Sequence, residues 1–472
     1  MVDDERTSMF DAVVSPVRIG RSSVGALGIL ALALGALQSV VEPALPLLQR
    51  ELGISPAEGA LVANAFALTG AVIAPVAGKL GDRYGGKRVL IWLVAVISAG
   101  GLLSSLAPTL PVLLLGQVLQ GGMVGALPLS FILVRKHLSS GESQAAVGLV
   151  VALFTGGGMV GTVVAGPIAD GLSWHWMFAL PTAAVIVTTV VVVRLMPHDP
   201  PTGSDSGIDW LGVGLLSATL LAFMVGLGVL TSGGLPPLAM VAVVLVVAAC
   251  TTAWILVERR SATPTVDLRM LAVPATRNAY VLTFLVATGF GMIAILLPQL
   301  FAVSGDGYGF AADTTRIGLY LLPGALIGVV SDSVGGIASR RFGPRAVVVV
   351  GAAVTAVTMC ALALLHDAVW QLVLARVLTA FAVGLATTAL LAGAAASVET
   401  KDIGIATSLL VVTRVIGAAL GTQLGGGVLA LGTDPVTGLP TESAFAAAFV
   451  VTGLIAALPL LVVRITRSSV PR

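Results

Sequence analysis

"GKLGDRYGGKR", residues 78–88, sets five charged residues and four glycines between two stretches that are otherwise almost wholly apolar. Charges are scarce elsewhere. Of 472 residues, 57% are hydrophobic and only 10% charged, whereas a soluble protein carries about 25% charged residues. So few charges cannot cover a water-soluble fold. Long apolar runs recur from end to end, each near the roughly 20 residues that a bilayer-crossing helix needs. The charged stretch therefore reads as a tight connection between two such helices, and the chain as an all-α polytopic membrane protein.

Outward from that connection, apolar segments fall at 24–48, 59–78, 89–106, 110–134, 145–169, 177–196, 210–231, 236–257, 279–300, 316–338, 346–365, 369–393, 403–430 and 442–463. Fourteen spans place both termini on one side. Basic residues choose that side. With the N-terminus cytoplasmic, the outer loops keep only Arg50 and Arg316, and Arg376 and Arg414 lie within spans. Every other one of the 25 basic residues then falls on the inner side. The run at 24–48 is too long for a signal-peptide core and reads as a retained first helix. Arginine outnumbers lysine, and Ala, Gly and Val are abundant, a bias of GC-rich bacterial genomes. The expected location is a bacterial plasma membrane, crossed many times, with cytoplasmic termini.

The quoted stretch has an echo. "GDRYGGKRVL" (81–90) resembles "SRRFGPRAVV" (339–348), setting Arg83, Tyr84 and Gly85 against Arg341, Phe342 and Gly343. "LGQVLQG" (115–121) matches "LARVLTA" (374–380), and Glu142 matches Glu399, at nearly the same offset. This argues for duplicated six-helix halves, residues 1–196 and 279–472. Two inserted helices and their flanking loops occupy 197–278. Duplicated helical halves around a midplane site are a transporter architecture.

Here the chain resembles the major facilitator superfamily, in its fourteen-helix drug:proton antiporter branch. Gly78, Leu80, Asp82, Arg83, Gly85 and Lys87 match that superfamily's signature loop between helices 2 and 3. "SWHWMF" (173–178) resembles the branch's Trp-Arg-Trp motif, with His175 for Arg. "DWLG" (209–212), "VERR…DLRML" (257–271) and "RRFGPR" (340–345) resemble it too. The resemblance implies that the loop is a cytoplasmic latch between the halves, formed by Gly78, Asp82, Arg83, Gly85, Lys87 and Arg88. A topology signal alone would explain the basic residues but not Asp82 or the glycines. In the second half Arg340 stands where Asp82 would be, so the latch should be one-sided.

Ionisable groups inside spans cost about 2.5–3.5 kcal/mol each on the insertion scale, so each needs a reason. Glu42, in "QSVVEPALP" (38–46), is followed by Pro43 and Pro46, which free the carbonyls of Ser39 and Glu42. A carboxylate there carries a proton, binds a cationic substrate, or does both in turn; a paired structural carboxylate is the alternative. The branch's first-helix acid falls at Leu37 instead, so its role does not transfer directly. Gln117 stands where the superfamily usually has an arginine associated with proton coupling, while Gln120 and Gly121 match. Its repeat partner is Arg376. Glu42, Gln117, Gln120, Arg376 and Arg414 are the expected cavity residues, and a Glu42–Arg376 pair across the halves is one arrangement they allow. Asp332, in "VVSDSVGG" (329–336), is a second proton site or a polar packing contact. Arg414 reads as a fixed charge or counter-ion.

"GGGMVGTVVAG" (156–166) fits GxGxxG in form, but that motif needs a preceding strand. Gly157, Gly161 and Ala165, four residues apart, instead permit close helix packing. No P-loop, metal-ligand spacing or catalytic constellation is present, and both cysteines lie in spans. The expected partners are a small-molecule substrate, protons and the bilayer, with no cofactor, metal or nucleic acid, and the expected state is a monomer. The expected function is proton-driven antiport of small amphipathic or cationic drugs. Export of an endogenous lipid or secondary metabolite, without proton coupling, stays open.

Overall fold

The computed structural model describes residues 19–197, 209–231, 236–261, 274–303, 308–398 and 403–468. Glu399 and the "DLRML" part of the third motif lie outside the described residues, as do the side chains of Asp82 and Asp332, whose backbones are helical. The helices in chain order are α1 (Arg21–Ser39), α2 (Val41–Leu52), α3 (Pro56–Tyr84), α4 (Gly86–Ser105), α5 (Leu110–Gln120), α6 (Met123–His137), α7 (Ser140–Gly171) and α8 (Trp174–Leu195). They continue as α9 (Trp210–Thr231), α10 (Pro237–Glu258), α11 (Pro274–Ala302), α12 (Thr314–Phe342), α13 (Pro344–Leu362), α14 (Val369–Ala396), α15 (Ile403–Leu431) and α16 (Glu442–Ser468). Among the described residues 14 spans are long and apolar enough to cross a membrane. α1 and α2 continue one another, as do α5 and α6. The first of these breaks falls where Pro43 withholds the N–H that Ser39 would have accepted.

The quoted stretch is a helix end and a helix start with one residue between them. Gly85 closes α3 and opens α4 at φ 90°, and Gly343 joins α12 to α13 at φ 81°. A side chain is strained at such angles, so glycine belongs at both. The copies agree further: the Arg83 guanidinium lies 5.4 Å from the Tyr84 ring centroid, and Arg341 lies 5.4 Å from that of Phe342. The internal repeat is thus one of backbone and side-chain geometry as well as of letters.

Small residues set the packing inside each half. α1 lies on α7, where a Cβ at Gly157 would sit 2.0 Å from the Leu32 carbonyl oxygen and one at Gly161 2.3 Å from that of Ala36. Ala165, fully buried, continues the stripe. The second half repeats this where Gly421 of α15 meets the Thr288 carbonyl of α11. Gly161→Leu is therefore expected to force α1 off α7 and destabilise the fold by about 1–3 kcal/mol or more. Gly156→Ala, where an added Cβ meets nothing within 4 Å, leaves the melting temperature in detergent unchanged.

α9 packs on α3, α15 and α10, while the apolar window of α10 buries none of its residues within the protein. Asp209 fastens the start of α9, accepting the Gly212 N–H at 2.8 Å. A hydrogen bond from Ser261, beyond the end of α10, holds its carboxyl below the usual carboxylate range; the Gly212 N–H and the charge of Lys79 on α3 act the same way, and burial opposes them. A lowered value means stability that is complete at neutral pH and lost on acidification through it. Asp209→Asn should cost roughly 0.3–1 kcal/mol at pH 7, and the difference from the parent should vanish at the acid end of a pH-dependent melting series.

Candidate functional site

The two halves meet where α3 packs on α15 and α7 on α12. Call the face carrying the α2–α3, α4–α5 and α7–α8 connections the far face, and the opposite one the terminal face. The hydrogen bonds that cross between the halves gather toward the far face. Thr315, in the first turn of α12, donates to Asp170 Oδ2 of α7 from its hydroxyl at 2.6 Å and its N–H at 3.2 Å. Asn64 of α3 donates to the Ala419 carbonyl at 3.0 Å and to Gln423 at 3.3 Å, both on α15. Gln423 in turn donates to the Ala57 carbonyl at 3.0 Å. Gln299 of α11 donates to Gln49 of α2. Asn64, Gln299 and Gln423 are buried and bonded across the junction, which closes it, whereas Gln49 Nε2 is buried without an acceptor among the described residues and a pocket of about 450 Å³ opens beside Gln49 and Gln299.

Beneath the seal lies an ion pair. Arg376 Nη2 of α14 is 2.7 Å from Glu42 Oε1 of α2, joining the halves. The broken helix explains the carboxylate's position. Because α2 restarts at Val41, Glu42 stands in its first turn, at the positive end of the helix dipole. The partners are unequally buried, with the Arg376 side chain 8% exposed and that of Glu42 34%. Arg376 lies on glycine, where a Cβ at Gly324 would meet its Cγ at 2.5 Å, and its guanidinium carbon sits 5.7 Å from the Phe290 ring centroid. A buried guanidinium held by one carboxylate is costly to strand, so what happens at Glu42 decides what Arg376 needs.

A cavity of about 420 Å³ opens beside Arg376, lined by Phe290, Gly324, Val383, Thr387, Arg414 and small residues of α11, α12, α14 and α15, with Ala67 of α3. Arg376 and Arg414 are thus brought to one chamber. Glu42 is not among the residues that line it and adjoins it through Arg376; nor are Gln117 and Gln120 among them. Both are buried and turn to Ser104 of α4, Gln120 at 2.8 Å and Gln117 at 3.5 Å, within their own half. Of the loop residues, Lys87 donates to the Val193 and Met196 carbonyls at the end of α8, also within its own half, and Arg88 is exposed.

Sequence reading missed the sealing residues Gln49, Asn64, Asp170, Gln299, Thr315 and Gln423. A signal was present. Amides inside apolar spans need partners for the same reason that charges do, and Asn64, Gln299 and Gln423 fall toward the same face, with Gln49 just past the end of its span.

Comparison with known proteins speaks to the family and the fold. The sequence matches the Major Facilitator Superfamily over residues 27–208 and 279–472, leaving the inserted pair outside. An uncharacterized MFS-type transporter of Mycobacterium tuberculosis is 29% identical over 410 residues, 84% of this chain and 57% of that protein's length. A protein of Pectobacterium atrosepticum named for multidrug resistance, MdtD, is 27% identical over 336 residues, 70% of each chain. Among solved structures, the nucleoside transporter NupG aligns with a TM-score of 0.66 at 12% identity, covering 94% of this chain and 98% of its own. An auto inhibited POT family peptide transporter aligns at 0.64 and 15% identity, covering 95% and 97%. At such identities these two speak for the fold alone.

Proposed function

The chain belongs to the Major Facilitator Superfamily, and from that membership we propose that it is a proton-driven exporter of small amphipathic compounds, drugs among them, working by alternating access. The observation that carries this reading is the Glu42–Arg376 pair joining the halves beneath a sealed face, with a cavity beside it. The far face is the outer one by the positive-inside argument, and the terminal face is cytoplasmic. The arrangement described is then the inward-facing one.

Glu42 is the proton carrier. In the outward-facing state, with the halves parted, its carboxylate leaves Arg376 and takes a proton. As the halves rock back, the approaching guanidinium favours the carboxylate, and the proton departs toward the cytoplasm. A compound entering the cavity separates the pair and frees the halves to part again. Asp332 is a second proton site, and Arg414 a fixed charge of the cavity. Asp82, Arg83, Lys87 and Arg88, with Gly78 and Gly85, form the latch that closes the terminal face in the opposite state. The six-helix bundles, 1–196 and 279–472, move as units, residues 197–278 ride between them, and the protein acts as a monomer in a bacterial plasma membrane. MdtD's name supports drugs as the substrate class.

The test uses a host lacking its own efflux pumps. Expression of the parent chain should raise the inhibitory concentrations of several amphipathic drugs, and Arg376→Gln, at equal abundance in the membrane, should not. Equal sensitivity with parent, variant and empty vector rejects the reading.

A further inference from the structure

From the same ion pair we infer that the preferred ligand is an amphiphile carrying both an acidic and an amino group, whose two charges replace the two partners of the pair at once. This rests on the export reading above and adds the class of compound. Three observations meet at Arg376. Its Nη2 is engaged by Glu42 at 2.7 Å, its Nε N–H is buried with no acceptor among the described residues, and its side chain lines the cavity. The Nε N–H is thus unsatisfied against Gly324 and shares its edge of the guanidinium with the Nη2 that Glu42 holds, and a carboxylate that takes the place of Glu42 can grip that edge with two parallel hydrogen bonds.

The alternatives fail on charge. A compound with only a cationic group pairs with Glu42 and strands the guanidinium, 8% exposed, in an apolar wall of Phe290, Ala287, Val383 and Val415. A compound with only an acidic group satisfies Arg376 and displaces Glu42. That carboxylate then stays unpaired or takes up a proton, and the proton travels with the compound rather than against it. A zwitterion leaves neither charge alone. Its acid takes the place of the Glu42 carboxylate on Arg376, its amine meets Glu42, which lies outside the cavity lining and is 34% exposed, and its apolar body lies along Phe290. Glu42 remains unprotonated on the outward stroke, as exchange for an inward proton requires.

The test uses four forms of one skeleton: 4-phenylphenylalanine (both charges), its amide (cation), its N-acetyl derivative (anion) and the N-acetyl amide (neutral). Binding is measured calorimetrically on the full chain in lipid nanodiscs. The zwitterion should bind at least tenfold more tightly than any of the other three. Glu42→Gln should erase its advantage over the anion, and Arg376→Gln its advantage over the cation. The charge-swapped chain, Glu42→Arg with Arg376→Glu, keeps a pair and should keep the preference, which guards against variants that merely fold poorly. A cation or anion binding as tightly as the zwitterion, a preference unchanged in Glu42→Gln, or no binding by any form overturns the inference. A parallel arm follows the four compounds into inside-out vesicles under a proton gradient. Best movement of the cation sinks this inference and leaves export standing, whereas zwitterion-selective binding with no movement of any form sinks export alone.

Discussion

Glu42→Gln is expected to abolish gradient-driven export, lowering uptake into inside-out vesicles to that of vesicles without the protein. Glutamine matches the carboxylate in shape and still accepts a hydrogen bond from Arg376, but it carries no proton to exchange. The substitution also leaves the guanidinium, 8% exposed, without its counter-charge. Breaking one side of a buried pair costs about 3–5 kcal/mol, and with the Glu42 side chain 34% exposed the loss here falls toward the lower end, so the apparent melting temperature should fall as well. The two effects separate in a double-mutant cycle. Removing both charges, as Glu42→Gln with Arg376→Gln, should restore much of the stability and none of the coupling. Recovery of transport together with stability would make the pair a structural tie rather than the coupling device.

A covalent lock on the outer seal should have an effect as large. Asp170 and Thr315 touch through side chains at 2.6 Å across the halves. Cysteines at both positions, in a chain whose Cys250 and Cys360 are alanine, should therefore form a disulfide under mild oxidant. If the halves must part there in each cycle, oxidation stops export completely and reductant restores it. A second pair, at Ser23 and Leu195, joins α1 to the end of α8 within one half, where the Ser23 hydroxyl donates to the Leu195 carbonyl at 2.9 Å. Cross-linking it should leave transport intact. Persistence of export with the Asp170–Thr315 link closed would show that this seal never opens.

The parts legible in the sequence were those that the bilayer makes expensive. A hydrocarbon layer demands uninterrupted apolar helices, so 14 spans could be read from run lengths. It also demands a partner for each buried charge, and the only in-span cation matching Gln117 in the repeat, Arg376, proved to sit on Glu42. What could not be read was which way a polar side chain faces. In a soluble helix the apolar stripe points inward, but a membrane helix is apolar on every side, and that leaves no moment to orient Gln117 and Gln120. They were expected at the central cavity and instead face Ser104 within their own bundle. The sealing amides were hidden for a related reason. Asn64 and Gln423 lie 359 positions apart, and only the packing of α3 on α15 makes them neighbours.

The lock and the pair together give the junction two tasks. The Gln49–Gln299 and Asn64–Gln423 contacts are neutral amide pairs, whereas Asp170 is a carboxylate that accepts from the Thr315 hydroxyl and N–H. Of the two carboxylate contacts, Glu42–Arg376 is the one that joins opposite charges beside the cavity, which is why it is assigned the coupling.

The account turns on two halves exchanging which face is closed, and paired spin labels measure this directly. One pair sits at Leu106 and Leu364, both strongly exposed on the far face, the other at Arg135 and Arg345, both exposed on the terminal face. On Glu42→Gln substitution the far-face distance should lengthen and the terminal-face distance shorten, in opposite senses within one sample. Distances that stay fixed, or that lengthen together, would contradict alternating access in this protein.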